Sequence, residues 1–161
     1  LIVDKTGSIL GPIESSNSDK YTIYQSREND KVTGYAIPIA GKGLWGTMYG
    51  YFAIEPDAET VKGITFYRHK ETPGLGAEVD KEWFQSNFVG KKLIDTNGSL
   101  VSVEVVKGYV SSTDPKAMHK VDGISGATIT GKGLTTFLKN DLQKYEPYLS
   151  KVRKLNQIES L

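Results

Sequence analysis

The 161-residue chain has a nearly balanced charge, with 20 basic and 19 acidic side chains, and 38% of its residues are hydrophobic. This composition is typical of a globular protein and argues against a partner such as nucleic acid or an anionic membrane surface. The chain lacks cysteine, which excludes disulfides and thiolate metal sites, and no apolar run approaches the roughly 20 residues of a membrane span. We expect a single domain over 1–161, with a poorly defined segment at 1–20 and a helical tail at 146–161.

The first half of the chain predicts an antiparallel meander. Residues 21–25 (YTIYQ) and 32–39 (VTGYAIPI) are rich in aromatic and β-branched side chains and flank a polar turn, which is typical of a hairpin. Pro38 indicates a sheet edge or a strand end, because proline has no N–H to donate to a ladder. Two further strands are expected, in the second half of 44–55 and over 61–69, around a turn at 56–59.

A loop, a helix and a second hairpin are expected next. Residues 71–76 (ETPGLG) cannot continue a strand, whereas 77–88 places large apolar side chains near helical spacing. The runs at 92–94 and 100–106 look like two strands around the turn that contains Asn97-Gly98. Residues 108–121 are polar and irregular.

The C-terminal part predicts a long helix that packs against a core. Its apolar residues recur at steps of three and four, as Leu134, Phe137, Leu138, Leu142 and Tyr145. Pro147 should end or kink this helix. Together the elements predict an α+β fold, with a curved, mainly antiparallel sheet and flanking helices.

Between the irregular stretch and this helix lies DGISGATITGKG, residues 122–133. Small residues and threonines directly before a helix favour phosphate binding, because the first N–H groups of a helix lack intrahelical acceptors and the macrodipole is positive there. A nucleotide-hydrolysing loop is disfavoured, since Gly133 occupies the position of the magnesium-binding hydroxyl. A second interpretation is a plain glycine-rich helix start capped by Thr130 or Ser125.

The segment DGISGAT at 122–128 resembles the flavinylation motif, in which a flavin transferase couples FMN through its phosphate to the final threonine. The resemblance implies that Thr128 is the covalent anchor and that Asp122 and Gly123 are motif positions. It also implies that Lys132 is a charge partner. The neighbouring residues expected to contact the cofactor are Ser125, Gly126, Ala127, Ile129 and Thr130.

Two further stretches carry the same resemblance. ETPGLG at 71–76 is similar to a motif of the FMN subunits of two bacterial respiratory complexes, the C subunit of the sodium-translocating NADH:quinone reductase and the G subunit of the Rnf complex. Gly-Leu-Trp at 43–45 is similar to the former. The alternatives are an ordinary Pro-Gly turn and a tryptophan buried at a sheet edge. The implied flavin contacts are Leu44, Trp45, Glu71, Thr72, Gly74 and Leu75.

The resemblance implies an electron-transfer flavoprotein subunit with one covalent FMN, working with the other subunits of a membrane complex that passes electrons from NADH to quinone and exports sodium. It further implies maturation by a flavin transferase and a place on the extracytoplasmic face of the bacterial inner membrane, anchored by an N-terminal helix not included in this chain. The alternatives are the Rnf subunit and a noncovalent phosphate-binding module. The two histidines, His69 and His119, have no cysteine beside them, so we expect no metal site.

Overall fold

The computed structural model describes residues 1–9 and 20–161 and is built around a four-stranded antiparallel sheet. Its strands follow one another in space as they do in the chain, so the predicted meander is confirmed. Their bounds are Tyr24–Glu28 (β3), Lys31–Lys42 (β4), Thr47–Ile54 (β5) and Val61–Arg68 (β6).

The inner face of this sheet forms much of the core. Strict alternation along β5 buries Met48, Phe52 and Ile54 and turns Tyr49 and Tyr51 the other way. Helix α2, residues Thr128–Glu159, packs on the inner face and completes the core with its apolar stripe. The fold is therefore α+β with mainly antiparallel strands, as predicted.

Pro38 lies in the part of β4 that has a strand partner on one side only. Beyond the Tyr24–Ala36 pair, β4 pairs with β5 and no longer with β3. The next N–H on the open side, that of Ala40, donates to the buried carboxylate of Asp141 on α2 at 2.8 Å. The predicted local sheet edge is confirmed, and a helix side chain takes the place of the missing strand.

The N-terminal prediction of a single strand over 21–25 is wrong. The segment divides at Ile23, which is fully buried. Lys20–Thr22 (β2) pairs with Ile2–Asp4 (β1), whereas β3 starts at Tyr24 and pairs with β4. Residues 10–19 of the segment expected to be poorly defined lie outside the described residues.

The predicted continuous helix over 77–88 is also wrong. The chain forms 3₁₀ turns at Gly76–Asp80 and Ser86–Phe88 around one α-helical turn, Glu82–Gln85 (α1). The interruption lies at Lys81, whose φ of −85° and ψ of 141° are extended. This break allows Val79, Phe84 and Phe88 all to be buried.

The second predicted hairpin is reduced to one bridge, between Ile94 and Leu100, although the turn at Asn97-Gly98 forms. Ser102 has a φ of +66°, which bends the run out of extended geometry. Beyond the bend, Glu104–Val105 (β7) pairs in parallel with Lys120–Val121 (β8), a strand within the stretch predicted to be irregular.

Helix α2 runs for 32 residues and includes Pro147, so the helix does not end at this proline, and the helical tail expected at 146–161 is part of the same helix as far as Glu159. Packing holds the helix beyond the proline. Tyr148 and Leu149 are buried, and the guanidinium of Arg153 donates to the carbonyl of Ala58 at 2.9 Å. Among the residues that the structure describes, no helix has the length and apolar character needed to cross a bilayer.

Candidate functional site

The carboxylate of Glu71, just after β6, connects the three stretches singled out in the sequence. Its Oε1 accepts the N–H of Trp45 at 3.0 Å, and its Oε2 accepts the N–H of Leu44 at 3.1 Å. Oε2 also accepts the hydroxyl of Thr130, from the first turn of α2, at 2.5 Å. One buried side chain thus connects the Gly-Leu-Trp turn, the ETPGLG loop and the start of the long helix.

These hydrogen bonds decide the ionisation of Glu71. Burial favours the neutral acid and is the largest single influence on its pKa. The hydrogen bonds from Thr130, Trp45 and Leu44, together with nearby His69, outweigh burial and hold the pKa below its usual value. Glu71 is therefore an anion at neutral pH, which suits a group that only accepts hydrogen bonds.

His69 supports this arrangement from the end of β6. Its Nδ1 accepts the N–H of Glu71 at 3.0 Å, so the ring proton lies on Nε2, which contacts Asp80 Oδ2 at 2.6 Å. The sequence offered no signal for this pairing, because His69 and Asp80 are brought together by the turn between them.

Two glycines of the motifs are required by close packing around Glu71. A Cβ on Gly43 would lie 2.6 Å from Glu71 Oε1. A Cβ on Gly76 would lie 2.7 Å from both Glu71 Oε2 and Thr130 Oγ1. A methyl group at either position would therefore displace the carboxylate or its donors.

The start of α2 has no side-chain cap among the described residues, so the predicted cap by Thr130 or Ser125 is wrong. The Thr130 hydroxyl is buried and bound to Glu71, whereas Ser125 is exposed. Thr128 is the first residue of the helix and is half-buried, and its hydroxyl has no hydrogen-bond partner in the part of the chain that the structure describes. The helix thus presents uncapped N–H groups beside a free hydroxyl.

The loops of the two predicted motifs touch at this point. Gly126 has a φ of +75°, and a Cβ there would lie 2.9 Å from Leu75 Cδ2 of ETPGLG. Further along, a Cβ on Gly133 would lie 2.2 Å from the carbonyl oxygen of Lys42. Gly133 therefore lets α2 approach the end of β4, which explains a glycine where a phosphate loop would have a hydroxyl.

A cavity of about 210 Å³ opens beside Thr128. Lys132 and Lys107 both line it, as does Glu104. Lys132 was predicted as a charge partner. Lys107 was missed, because only the parallel pairing of β7 with β8 brings its segment to the helix start. The cavity is lined by Glu104, Val105, Val106, Lys107, Gly123, Ile124, Ala127, Thr128, Gly131 and Lys132.

Exposed apolar side chains surround the same helix start. The exposed fractions are 64% for Trp45 and 41% for Leu75, with Leu44 and Ile129 also exposed. The indole N–H of Trp45 donates to the hydroxyl of Thr72 at 3.1 Å, which fixes the ring on the ETPGLG loop. The alternative of a tryptophan buried at the sheet edge is excluded by this exposure.

The remaining motif residues contact the protein's own backbone or shape the loops. Asp122 Oδ1 accepts the N–H of Val110 at 2.7 Å, and a Cβ on Gly123 would lie 2.1 Å from the carbonyl oxygen of Val106. Both positions therefore hold the 106–110 segment against the motif. Gly74 is exposed with a φ of +76°, and Ala127 is buried directly before the helix.

The family model and the similar sequences identify the same kind of protein. Residues 43–143 match the FMN-binding domain family. The C subunit of the Na(+)-translocating NADH-quinone reductase of Pseudomonas aeruginosa is 42% identical over 135 residues, which cover 83% of this chain and 51% of that protein. The protein of the same name from Chlamydia muridarum is 41% identical over an alignment of 161 positions, and the alignment covers 92% of this chain and 50% of that protein. The chain thus spans about half the length of the curated relatives it matches.

Two solved structures share the fold. The crystal structure of the C subunit of the Na(+)-translocating NADH-quinone reductase from Parabacteroides distasonis is 34% identical, with a TM-score of 0.78 over 92% of this chain and 76% of that one. The structure of Shewanella oneidensis NqrC is 27% identical, with a TM-score of 0.79 over 96% and 83%.

Proposed function

Because this chain belongs to the FMN-binding domain family, we propose that it carries one FMN, joined through its phosphate to the hydroxyl of Thr128. In the attachment step the hydroxyl oxygen of Thr128 bonds to the phosphorus of an activated FMN donor held by a flavin transferase. The donor is a phosphoanhydride of FMN, so the P–O bond to its second phosphate breaks, that phosphate leaves with the bonding electron pair, and the hydroxyl proton is lost to solvent.

The observation that carries this proposal is the geometry at the start of α2. A half-buried threonine hydroxyl without a partner among the described residues lies where the DGISGAT and ETPGLG loops touch. The uncapped N–H groups of the first helical turn and the ammonium groups of Lys107 and Lys132 suit the remaining negative charge of a phosphodiester. The residues present therefore fit the phosphate end of the cofactor.

The flavin ring would be held by the exposed side chains around that point. Trp45, Leu75 and Ile129 offer apolar surface, and Leu44 and Thr72 lie on the same two loops. We assign Gly74, Ser125, Gly126 and Ala127 to the backbone that the cofactor approaches. Glu71 and Thr130 are positioning residues, because their mutual hydrogen bond fixes the loops relative to the helix. Bound FMN supplies reversible electron transfer, whose potential the surrounding side chains tune.

The names of the relatives support a place in a membrane complex. We propose that the chain is an electron-carrying part of a sodium-translocating NADH:quinone reductase, at the extracytoplasmic face of the bacterial inner membrane. It would be held there by its partner subunits and by a segment outside this chain. The similarity of the relatives favours this complex over the Rnf complex.

The covalent link is tested by coexpressing the chain with a flavin transferase and measuring flavin fluorescence on a denaturing gel. We expect a fluorescent band and a peptide mass that places FMN on Thr128. Thr128→Val should abolish the band, because valine keeps the shape of threonine but has no hydroxyl. Thr130→Ser is the matched control, since it keeps the hydroxyl that Glu71 binds, and it should stay fluorescent.

Two results would contradict this assignment. A fluorescent Thr128→Val protein would move the anchor to another residue. A protein that releases all its flavin on denaturation would point to the noncovalent binding module.

A further inference from the structure

The outward face of the central sheet carries a row of tyrosines. Tyr24, Tyr51 and Tyr67 are exposed to 53%, 37% and 64%. The ring of Tyr51 lies 6.0 Å from that of Tyr24 and 5.6 Å from that of Tyr67, and the Tyr67 ring lies 6.3 Å from that of Tyr49. We call these four residues the tyrosine strip. It crosses the sheet from β3 to β6.

Small neighbours leave these rings uncovered. Tyr51 pairs across the sheet with Pro38 and Thr65, and Tyr24 pairs with Ala36. Because cross-strand partners share one face, these two tyrosines have short side chains as their direct neighbours on that face. A contiguous exposed aromatic patch of this kind marks an interaction site more often than scattered apolar residues do.

The strip ends at a cationic groove of about 240 Å³ at the end of β6. The guanidinium carbon of Arg68 lies 5.4 Å from the centre of the Tyr49 ring, and the groove is also lined by Lys70. Lys70 reaches along Gly46, the residue after Trp45, since a Cβ there would lie 3.6 Å from Lys70 Cδ. The groove therefore joins the strip to the candidate flavin site.

The charges around the strip favour an acidic partner. Asp141, which lines a groove together with Tyr49 and Tyr67, is already paired with Lys144 at 2.7 Å. Arg68 and Lys70 are exposed and have no ion-pair partner in the described part of the chain. Tyrosine and arginine are also the residue types that dominate binding at protein interfaces.

We propose that the tyrosine strip, Arg68 and Lys70 form the docking face for an acidic protein that exchanges electrons with the flavin. This inference rests on the proposed function, which requires a redox partner close to the cofactor. The two cations would steer the partner's carboxylates towards the groove, and the tyrosines would bury its apolar surface.

Photo-crosslinking in the assembled membrane complex tests this directly. With p-benzoylphenylalanine in place of Tyr67, irradiation should join the chain to another subunit, within a segment rich in aspartate and glutamate. The same replacement of Tyr109, which is 88% exposed but lies outside the strip, should give no such product. Arg68→Glu with Lys70→Glu should lower the yield at least about tenfold, because like charges then face each other. Lys139→Glu, at an exposed position on α2, should not lower it.

Several outcomes would overturn the inference. These are crosslinks between two copies of the chain, crosslinks to phospholipid or to a segment poor in acids, no crosslink, and a yield insensitive to the Arg68 and Lys70 changes. Flavin fluorescence of the same gel separates this inference from the proposed function. A fluorescent chain with a wrong crosslink refutes only the docking face, whereas a chain without covalent flavin refutes the covalent attachment.

Discussion

Glu71→Gln should weaken the protein much more than its small change in shape suggests. Glutamine keeps one acceptor oxygen and turns the other position into a donor. If the oxygen stays at the Oε2 position, Leu44 and Thr130 keep an acceptor, but the new NH₂ group faces the N–H of Trp45. In the alternative orientation the NH₂ group faces the N–H of Leu44, and the Thr130 hydroxyl has to turn from donor to acceptor.

The magnitude follows from these three contacts. A donor left without an acceptor costs roughly 1 to 3 kcal/mol, and changing a charge-assisted hydrogen bond to a neutral one costs about 1 kcal/mol. With one lost and two weakened bonds, we expect the free energy of unfolding to fall by about 3 to 5 kcal/mol. For a protein of this size this corresponds to a fall in the unfolding midpoint of roughly 6 to 20 °C.

Thermal and urea unfolding followed by circular dichroism measure this change. Glu78→Gln is the control on the same segment, because the Glu78 side chain accepts one hydrogen bond, from the exposed indole of Trp83. This control should change the free energy of unfolding by less than about 1 kcal/mol. A Glu71→Gln protein as stable as the control would refute the assignment of Glu71 as the connecting residue.

The same substitution has a pH signature. The pKa of Glu71 is lowered in the folded protein, so the unfolded chain binds its proton at a higher pH. The stability that Glu71 contributes is complete above its unfolded pKa of about 4.3 and is lost as the pH falls through the folded value. Unfolding free energies measured from pH 6 downwards should therefore fall less steeply in Glu71→Gln. The unfolding free energy of this variant should still depend on pH, because Asp57 and Asp114 also have lowered pKa values.

Three further substitutions test the fold around the site. Gly133→Ala should cost about 2 kcal/mol in urea unfolding, because its Cβ meets the Lys42 carbonyl, whereas Gly63→Ala, where a Cβ meets nothing within 4 Å, should be near neutral. Ser102→Gly should stabilise by about 1 kcal/mol, since it relieves a φ of +66° and removes a buried hydroxyl that lacks a partner among the described residues. Asp141→Ala should cost about 2 kcal/mol through the orphaned N–H of Ala40, and Asp141→Asn, which keeps an acceptor, should recover most of that loss.

The sequence by itself determined the elements that depend on neighbouring residues. Aromatic and β-branched runs between turn residues located the last three strands of the meander, β4, β5 and β6, and the three- and four-residue spacing located α2. The motif residues pointed to FMN through their resemblance to a family, and the match over residues 43–143 confirms the FMN-binding domain.

Only the tertiary structure decided the features that depend on distant contacts. Local pattern predicted a continuous helix over 77–88, but the folded chain breaks at Lys81 and buries both Val79 and Phe84. The parallel pairing of β7 with β8 brings Lys107 to the helix start, although the two strands are not neighbours in sequence. Such contacts are set by packing, which a local pattern does not encode.

The same distinction applies to Glu71 and the loops around Thr128. The sequence placed ETPGLG, Gly-Leu-Trp and DGISGAT far apart and predicted that they serve one cofactor. The fold joins the first two stretches to the helix that follows the third through a single buried carboxylate, which accepts three hydrogen bonds. The residue types were readable from the sequence, whereas their connection depends on which backbone N–H groups the folded chain brings within hydrogen-bond distance.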